Sequence, residues 1–257
     1  MKPFLKLENI NFSYYSKLGE VNVLKDLSFS VQKGDFVALV GPSGCGKSTI
    51  LSLIAGLISP VSGYITFYTD DFSAPRVGYM LQHDHLLEWR DVYHNITLGL
   101  EIQKKLTREN LTYADNLLEK YNLSHVRNQK PSALSGGMRQ RIALIRTLAL
   151  KPDLLLLDEP FSALDYQTRL NVSSDVHDII KTENKTAILV THDISEAISM
   201  ADKVFLLTKS PCTIKEMIDI KFEENGVKRS DARKSVWFQD YFDRIWRSMQ
   251  YENKEEQ

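Results

Sequence analysis

The 257-residue chain is 43% hydrophobic and 25% charged, the composition of an ordinary globular protein rather than a disordered or fibrous one. Its 32 Lys and Arg against 33 Asp and Glu give a formal charge of −1, which argues against a dedicated nucleic-acid binder, since such proteins carry a basic excess. Cys45 and Cys212 are too few for a disulfide framework or a zinc thiolate cluster, so a reducing compartment is expected, and no window nears the roughly 18 apolar residues of a membrane span.

The opening MKPFLKLENI lacks the apolar stretch of a signal peptide. Phe4 to Phe12 partly alternates, Leu27 to Val31 alternates, and Phe36 to Val40 is a short apolar run ending at Gly41; all three predict strands, with Lys33-Gly34-Asp35 as a turn. From Lys47 the period becomes helical, placing Ile50, Leu51, Ile54 and Leu57 on one face. Tyr64 to Tyr68 and Arg76 to Leu81 predict two further strands. Asp91 to Gln103, Thr107 to Tyr121 (with Thr107 as N-cap) and Met138 to Leu150 predict helices, so residues 83–150 read as a mostly helical insertion. Asp153 to Leu157, Thr186 to Val190 and Val204 to Leu207 then return as apolar runs separated by helical segments. Strands alternating with helices favour an α/β fold with a parallel sheet. Residues 221–257 form a short tail with an amphipathic segment, Val236 to Met249, and balanced charge.

Three segments carry chemistry. Gly41-Pro42-Ser43-Gly44-Cys45-Gly46-Lys47-Ser48-Thr49 fits G-x-x-x-x-G-K-[ST] between a predicted strand and a predicted helix. The glycines let the backbone wrap a phosphate, the helix adds its N-terminal dipole, Lys47 reaches the β and γ phosphates, and the Ser48 hydroxyl suits Mg²⁺. Leu154 to Pro160 is an apolar run delivering Asp158 and Glu159 at a strand end, where ligands bind in α/β sheets; Asp158 suits a magnesium shell and Glu159 an attacking water. Leu134 to Arg141 places Ser135, Gly136 and Gly137 at a helix start, a second anion-binding arrangement.

With Gln82, Ser162-Ala163-Leu164-Asp165 and Thr191-His192-Asp193, these segments stand in the order found in one family. From about residue 4 to at least 210, the chain resembles the nucleotide-binding subunit of an ATP-binding cassette (ABC) transporter. The resemblance implies a P-loop NTPase with a mixed sheet core, an antiparallel β subdomain and an inserted helical subdomain. The ATPase domain is then 1–220 and the tail 221–257. It implies ATP and Mg²⁺ as cofactors, with Gly41 to Thr49 around the phosphates and Ser48, Gln82 and Asp158 on the metal. Glu159 becomes the general base, Gln82 also a sensor of the membrane partner, and His192 the γ-phosphate sensor. Tyr14 lies where the family stacks an aromatic on adenine, although Phe12 and Tyr15 compete for that place. Ser135 to Gly137 of one copy would close over ATP held by another, with Asp165 crossing the interface, so a homodimer is implied. Met138 stands where the motif most often has Gln, which leaves the Ser-Gly-Gly donors intact.

His83 to Ile96, HDHLLEWRDVYHNI, resembles the importer branch serving nitrate, sulfonate, taurine and thiamine-precursor systems. There this region receives a short cytoplasmic helix of the membrane subunit; Trp89 fits either that groove or the core. Ser210 to Ile220 also resembles the branch, whose arginine-rich stretch is reduced here to Gly226-Val227-Lys228-Arg229. The implied setting is the cytoplasmic face of the membrane. There the chain would be peripheral to permease subunits and act with an extracytoplasmic solute-binding protein, without nucleic acid.

Overall fold

Leu5, Leu7, Ile10 and Phe12 are buried along β1 (Leu5–Ser16), which pairs antiparallel with β2 (Gly19–Val31). Both strands run further than their alternation predicts. Residues with left-handed backbone, Asn9 and Asp26, sit at register shifts that break the period without ending the pairing. The computed structural model describes residues 3–250 except 18, 70–73, 223, 225 and 228, and the chain forms two compact units. One comprises Met1–Pro75 with Thr186–Gln257, the other Arg76–Lys185.

In the first unit, β3 (Phe36–Val40) is buried at every position and leads through residues 41–46 into α1 (Lys47–Ile54). β4 (Ser62–Phe67) then pairs with β1, completing a three-stranded antiparallel sheet, β2-β1-β4.

The second unit begins with β5 (Val77–Met80). Helices α2 (Val92–Ile96), α3 (Leu98–Ile102), α4 (Arg108–Lys120) and α5 (Gly136–Leu148) follow, then β6 (Leu154–Asp158) and α6 (Tyr166–Thr182). The single helix expected over Asp91 to Gln103 is divided. Asp91 caps α2, the Thr97 hydroxyl turns back to the Tyr93 carbonyl, and the chain restarts as α3. Thr107 caps α4 through the Asn110 N–H, as its sequence position predicts. Four consecutive leucines of β6 are fully buried, each worth about 1.5–3 kcal/mol relative to exposure. Arg76 and Asp153 join the starts of β5 and β6, which pair in parallel. The helical stretch read over 83–150 therefore lies within a unit that also holds two strands and α6.

Back in the first unit, β7 (Thr186–Thr191), α7 (Ile194–Met200), β8 (Lys203–Leu207), β9 (Ile214–Asp219) and α8 (Val236–Gln250) complete the chain. β7, β3 and β8 are parallel neighbours and β9 runs antiparallel on β8, so the sheet is mixed. The tail packs on this unit. Arg229 donates to the carbonyls of Ile198, Ser199 and Ala201 at the end of α7, and Arg244 and Ser248 of α8 hold Glu216 of β9. Lys228, singled out with Arg229, lies outside the described residues. No helix among the described residues is long and apolar enough to cross a membrane.

Candidate nucleotide-binding site

The loop between β3 and α1 gathers its own cation. Lys47 is only 5% exposed, and its ammonium donates to the carbonyls of Gly41 and Pro42, both at 2.9 Å. Two of its three protons are thereby fixed and one direction remains for a phosphate oxygen. Gly46, the N-cap of α1, has φ 114°, and a Cβ there would lie 2.7 Å from Val23, so the position accepts glycine alone. Side chains cap α2, α4, α5, α6 and α7, whereas α1 has no side-chain cap and no acid in its first turn. An anion suits such a terminus. Ser48 is exposed beside it.

Tyr14 is tied to the same helix. Its hydroxyl lies 3.3 Å from Thr49 Oγ1, and its ring meets Phe12 edge-on at 4.9 Å. Of the three competing aromatics, Phe12 is buried and Tyr15 turns to Glu20, so Tyr14 alone combines an exposed ring with a bond to α1. His192 follows Thr191, whose register partner is Val40, the residue before Gly41. The imidazole-bearing turn thus leaves the same sheet edge as the phosphate loop. Thr191 Oγ1 donates to Glu196 and accepts from the Asp193 N–H, while Asp193 caps α7, which fixes the turn and leaves His192 exposed.

In the second unit, Met80 is level with Leu157, so Gln82 and Glu159 both emerge two residues beyond the pairing. The amide of Gln82 donates to Ser162 Oγ at 3.3 Å, and that hydroxyl donates to the Glu159 carbonyl at 3.0 Å. Glu159 has φ 43°, a left-handed backbone that costs a non-glycine residue about 1–3 kcal/mol. Asp158 is 9% exposed and accepts from the Tyr79 hydroxyl at 3.3 Å.

Ser135 caps α5 through the Met138 N–H at 3.3 Å. The glycines after it also serve packing, because a Cβ on Gly137 would lie 2.8 Å from Val172 of α6. Asp165 caps α6 by accepting from the Thr168 N–H at 3.0 Å, and that bond holds its carboxyl below the usual range.

Several residues that hold the segment after Gln82 escape sequence reasoning. Arg139 forks onto Asp84 at 2.9 and 3.0 Å and reaches Glu88 at 2.8 Å, while Arg146 donates to the carbonyls of Asp84 and His85. Partial burial alone would push the Asp84 carboxyl up, but the Arg139 guanidinium outweighs it and holds it low. Asn95, wholly buried, accepts from the Leu87 N–H and donates to the carbonyls of Leu87, Arg90 and Asp91. The segment after Gln82 is therefore clipped to α5 and stapled from within. Spacing offers one signal, since Arg139 and Arg146 lie two turns apart on one helix face, but it names no partner. Trp89 is 72% exposed, which decides against the core.

Ser48, Gln82 and Asp158 offer oxygen donors, the chemistry that Mg²⁺ takes. Among the described residues, no cluster of three or more His, Cys, Asp or Glu could hold a metal ion.

Residues 24–162 match the family model described as ABC transporter. YtlC of Bacillus subtilis, an uncharacterized ABC transporter ATP-binding protein, is 44% identical over 96% of this chain and 95% of its own. The nitrate transport protein NasD of Klebsiella oxytoca is 34% identical over 90% and 91%. The aliphatic sulfonates import ATP-binding protein SsuB of Bacillus licheniformis is 38% identical over 78% of each chain. The dimeric ATP-binding cassette MJ0796, in a post-hydrolysis state with ADP and Pi, aligns with a TM-score of 0.69 at 28% identity, covering 84% of this chain and 99% of that one. The cbiO1 component of the cbiONQ transporter of Clostridium perfringens aligns with a TM-score of 0.75 at 26% identity, covering 91% and 94%.

Proposed function

Because the chain belongs to the ATP-binding subunits of ABC transporters and is an ATPase, we propose that it powers uptake of a small solute of the nitrate, sulfonate or taurine kind. The importer assignment is carried by its similarity to NasD and SsuB, which extends over 90% and 78% of this chain. In this reading two copies bind two ATP molecules head to tail. Residues 41–49 cradle the phosphates, Tyr14 stacks on adenine, and Ser135 to Gly137 of the second copy close over the γ-phosphate with Asp165 crossing between them. Ser48, Gln82 and Asp158 would hold Mg²⁺, which when bound would supply positive charge against the phosphates. Glu159 orients the attacking water and takes its proton, Lys47 stabilises the charge gathering on the phosphoryl oxygens, and His192 reads the γ-phosphate.

The chain then works on the cytoplasmic face of the membrane, peripheral to separate permease subunits and served by a solute-binding protein outside. The segment after Gln82 supports the docking role, because Trp89 stands exposed beside Leu87 and Glu88, which Asn95 and Arg139 hold in place.

Glu159→Gln should keep ATP binding and lower turnover by about 10²- to 10⁴-fold, while Lys47→Ala should abolish tight binding. Phosphate release and nucleotide titration measure the two. Unchanged turnover in Glu159→Gln would remove Glu159 from the base role.

A further inference from the structure

Cys45 lies inside the phosphate loop and Cys212 in the segment between β8 and β9; both are free, buried thiols of the first unit. The Cys212 thiol is the neighbour that acts most strongly on the Cys45 thiol. The two have different anchors. Cys212 is fastened to β2 through its backbone, its N–H donating to the Val23 carbonyl at 2.7 Å and its carbonyl accepting from the Lys25 N–H at 3.0 Å. Cys45 belongs to the loop itself. Its sulfur would lie 3.1 Å from a Cβ on Gly41, and a Cβ on the neighbouring Gly46 would lie 2.7 Å from Val23 and 3.1 Å from Leu24, β2 residues at the Cys212 attachment. The loop thus rests against the wall that carries the second sulfur.

The Cys45 thiol is also activated. The Cys212 thiol is the main cause; the Lys47 charge and backbone N–H groups add to it against burial, and together they bring the Cys45 pKa from 9.0 down to about 7. Near neutral pH a sizeable fraction is thiolate, the reactive form.

We propose that Cys45 and Cys212 form a reversible disulfide when the protein meets hydrogen peroxide, and that this bond disables the phosphate loop. The Cys45 thiolate attacks one peroxide oxygen. The S–O bond forms as O–O breaks, and the departing hydroxide takes a proton to become water. The Cys212 sulfur then attacks the sulfenic sulfur. S–S forms, S–O breaks, and the Cys212 proton leaves with hydroxide as a second water. Two thiols have lost two electrons and two protons to one peroxide. A dithiol reductant reverses the bond by exchange.

Bonding brings the two sulfurs to about 2.05 Å from each other. Because the backbone of Cys212 is fixed to β2, the loop must yield, carrying the turn on which Lys47 holds the Gly41 and Pro42 carbonyls. By linkage, a nucleotide that binds only the undistorted loop protects Cys45 from oxidation. This switch rests on the phosphate-loop reading given above.

The test treats the whole chain with hydrogen peroxide, then measures intact mass, linked peptides and MgADP affinity before and after a dithiol reductant. The expected result is a loss of about 2 Da, a Cys45–Cys212 linked peptide and at least about tenfold weaker MgADP binding, all reversed by reduction and slowed by prior MgADP. Cys212→Ser should bind MgADP normally before oxidation and gain oxygen, about 16 Da, without the crosslink; Cys212→Ala serves if the serine variant folds poorly. Oxygen uptake without the crosslink in the unmodified chain, or crosslinked protein with unchanged MgADP affinity, overturns the proposal. If the reduced chain fails to bind MgADP, the nucleotide reading itself falls, while mass still scores the disulfide independently.

Discussion

Glu159 shows how one residue combines strain with purpose. A glutamate at φ 43° would ordinarily relax, yet the Ser162 N–H and hydroxyl both hold its carbonyl, at 3.2 and 3.0 Å, and Ser162 also receives Gln82. The residue proposed as base and the residue proposed as sensor are joined through a single serine, a link that no spacing in the sequence announces. Tyr14 makes the complementary case. Phe12, Tyr14 and Tyr15 are equivalent by residue type, and only burial and the Thr49 contact separate them. Tyr14→Ala should weaken ATP binding by about fivefold or more through lost stacking, with turnover at saturating ATP unchanged, whereas Tyr14→Phe should retain most affinity. Nucleotide titration beside steady-state turnover checks this, and equal affinity in the alanine variant would contradict it.

At the scale of elements, sequence pattern was most informative where one physical requirement acts alone. β3 and β6 are buried on both faces and read as unbroken apolar runs, and the capping residues Thr107 and Ser135 stand at their helix starts. It was least informative where distant partners decide the outcome. Gly136 and Gly137 read as an anion cradle, yet Gly137 also meets Val172 of α6, a neighbour invisible in the linear motif. Arg139 is ordinary helix surface until Asp84 and Glu88 are seen across from it. Arg139→Ala should destabilise the Arg76–Lys185 unit by about 1–2 kcal/mol near pH 7, between the values for surface and buried pairs. The sign follows from Asp84, whose carboxyl is held below its usual range when folded. Its contribution is present above the unfolded carboxylate pKa and is lost as pH falls through the folded one, so the difference between variant and parent should shrink in strong acid. Denaturant melts across pH measure this; a pH-independent difference would assign the loss to packing.

For the whole molecule, charge near neutrality and the lack of an apolar span direct attention away from membranes, whereas the ordered motifs and the importer relatives direct it back. The alternation of strands and helices was enough to reveal an α/β protein. The division at Arg76 and Lys185 was not legible, because compact units depend on which strands and helices pack together rather than on where composition changes. Nor does the proposed catalytic machinery speak to the solute, since in that proposal its residues address phosphate and magnesium. The central claim is that hydrolysis at this site drives uptake through a separate permease. Its most direct test is transport in vesicles that hold the chain with its co-purifying permease and matching solute-binding protein, supplied with nitrate, an alkanesulfonate or taurine. The account predicts ATP-dependent accumulation of one of these solutes, abolished by Glu159→Gln. ATP-driven movement in the opposite direction, or uptake that persists in the Glu159→Gln vesicles, would contradict it.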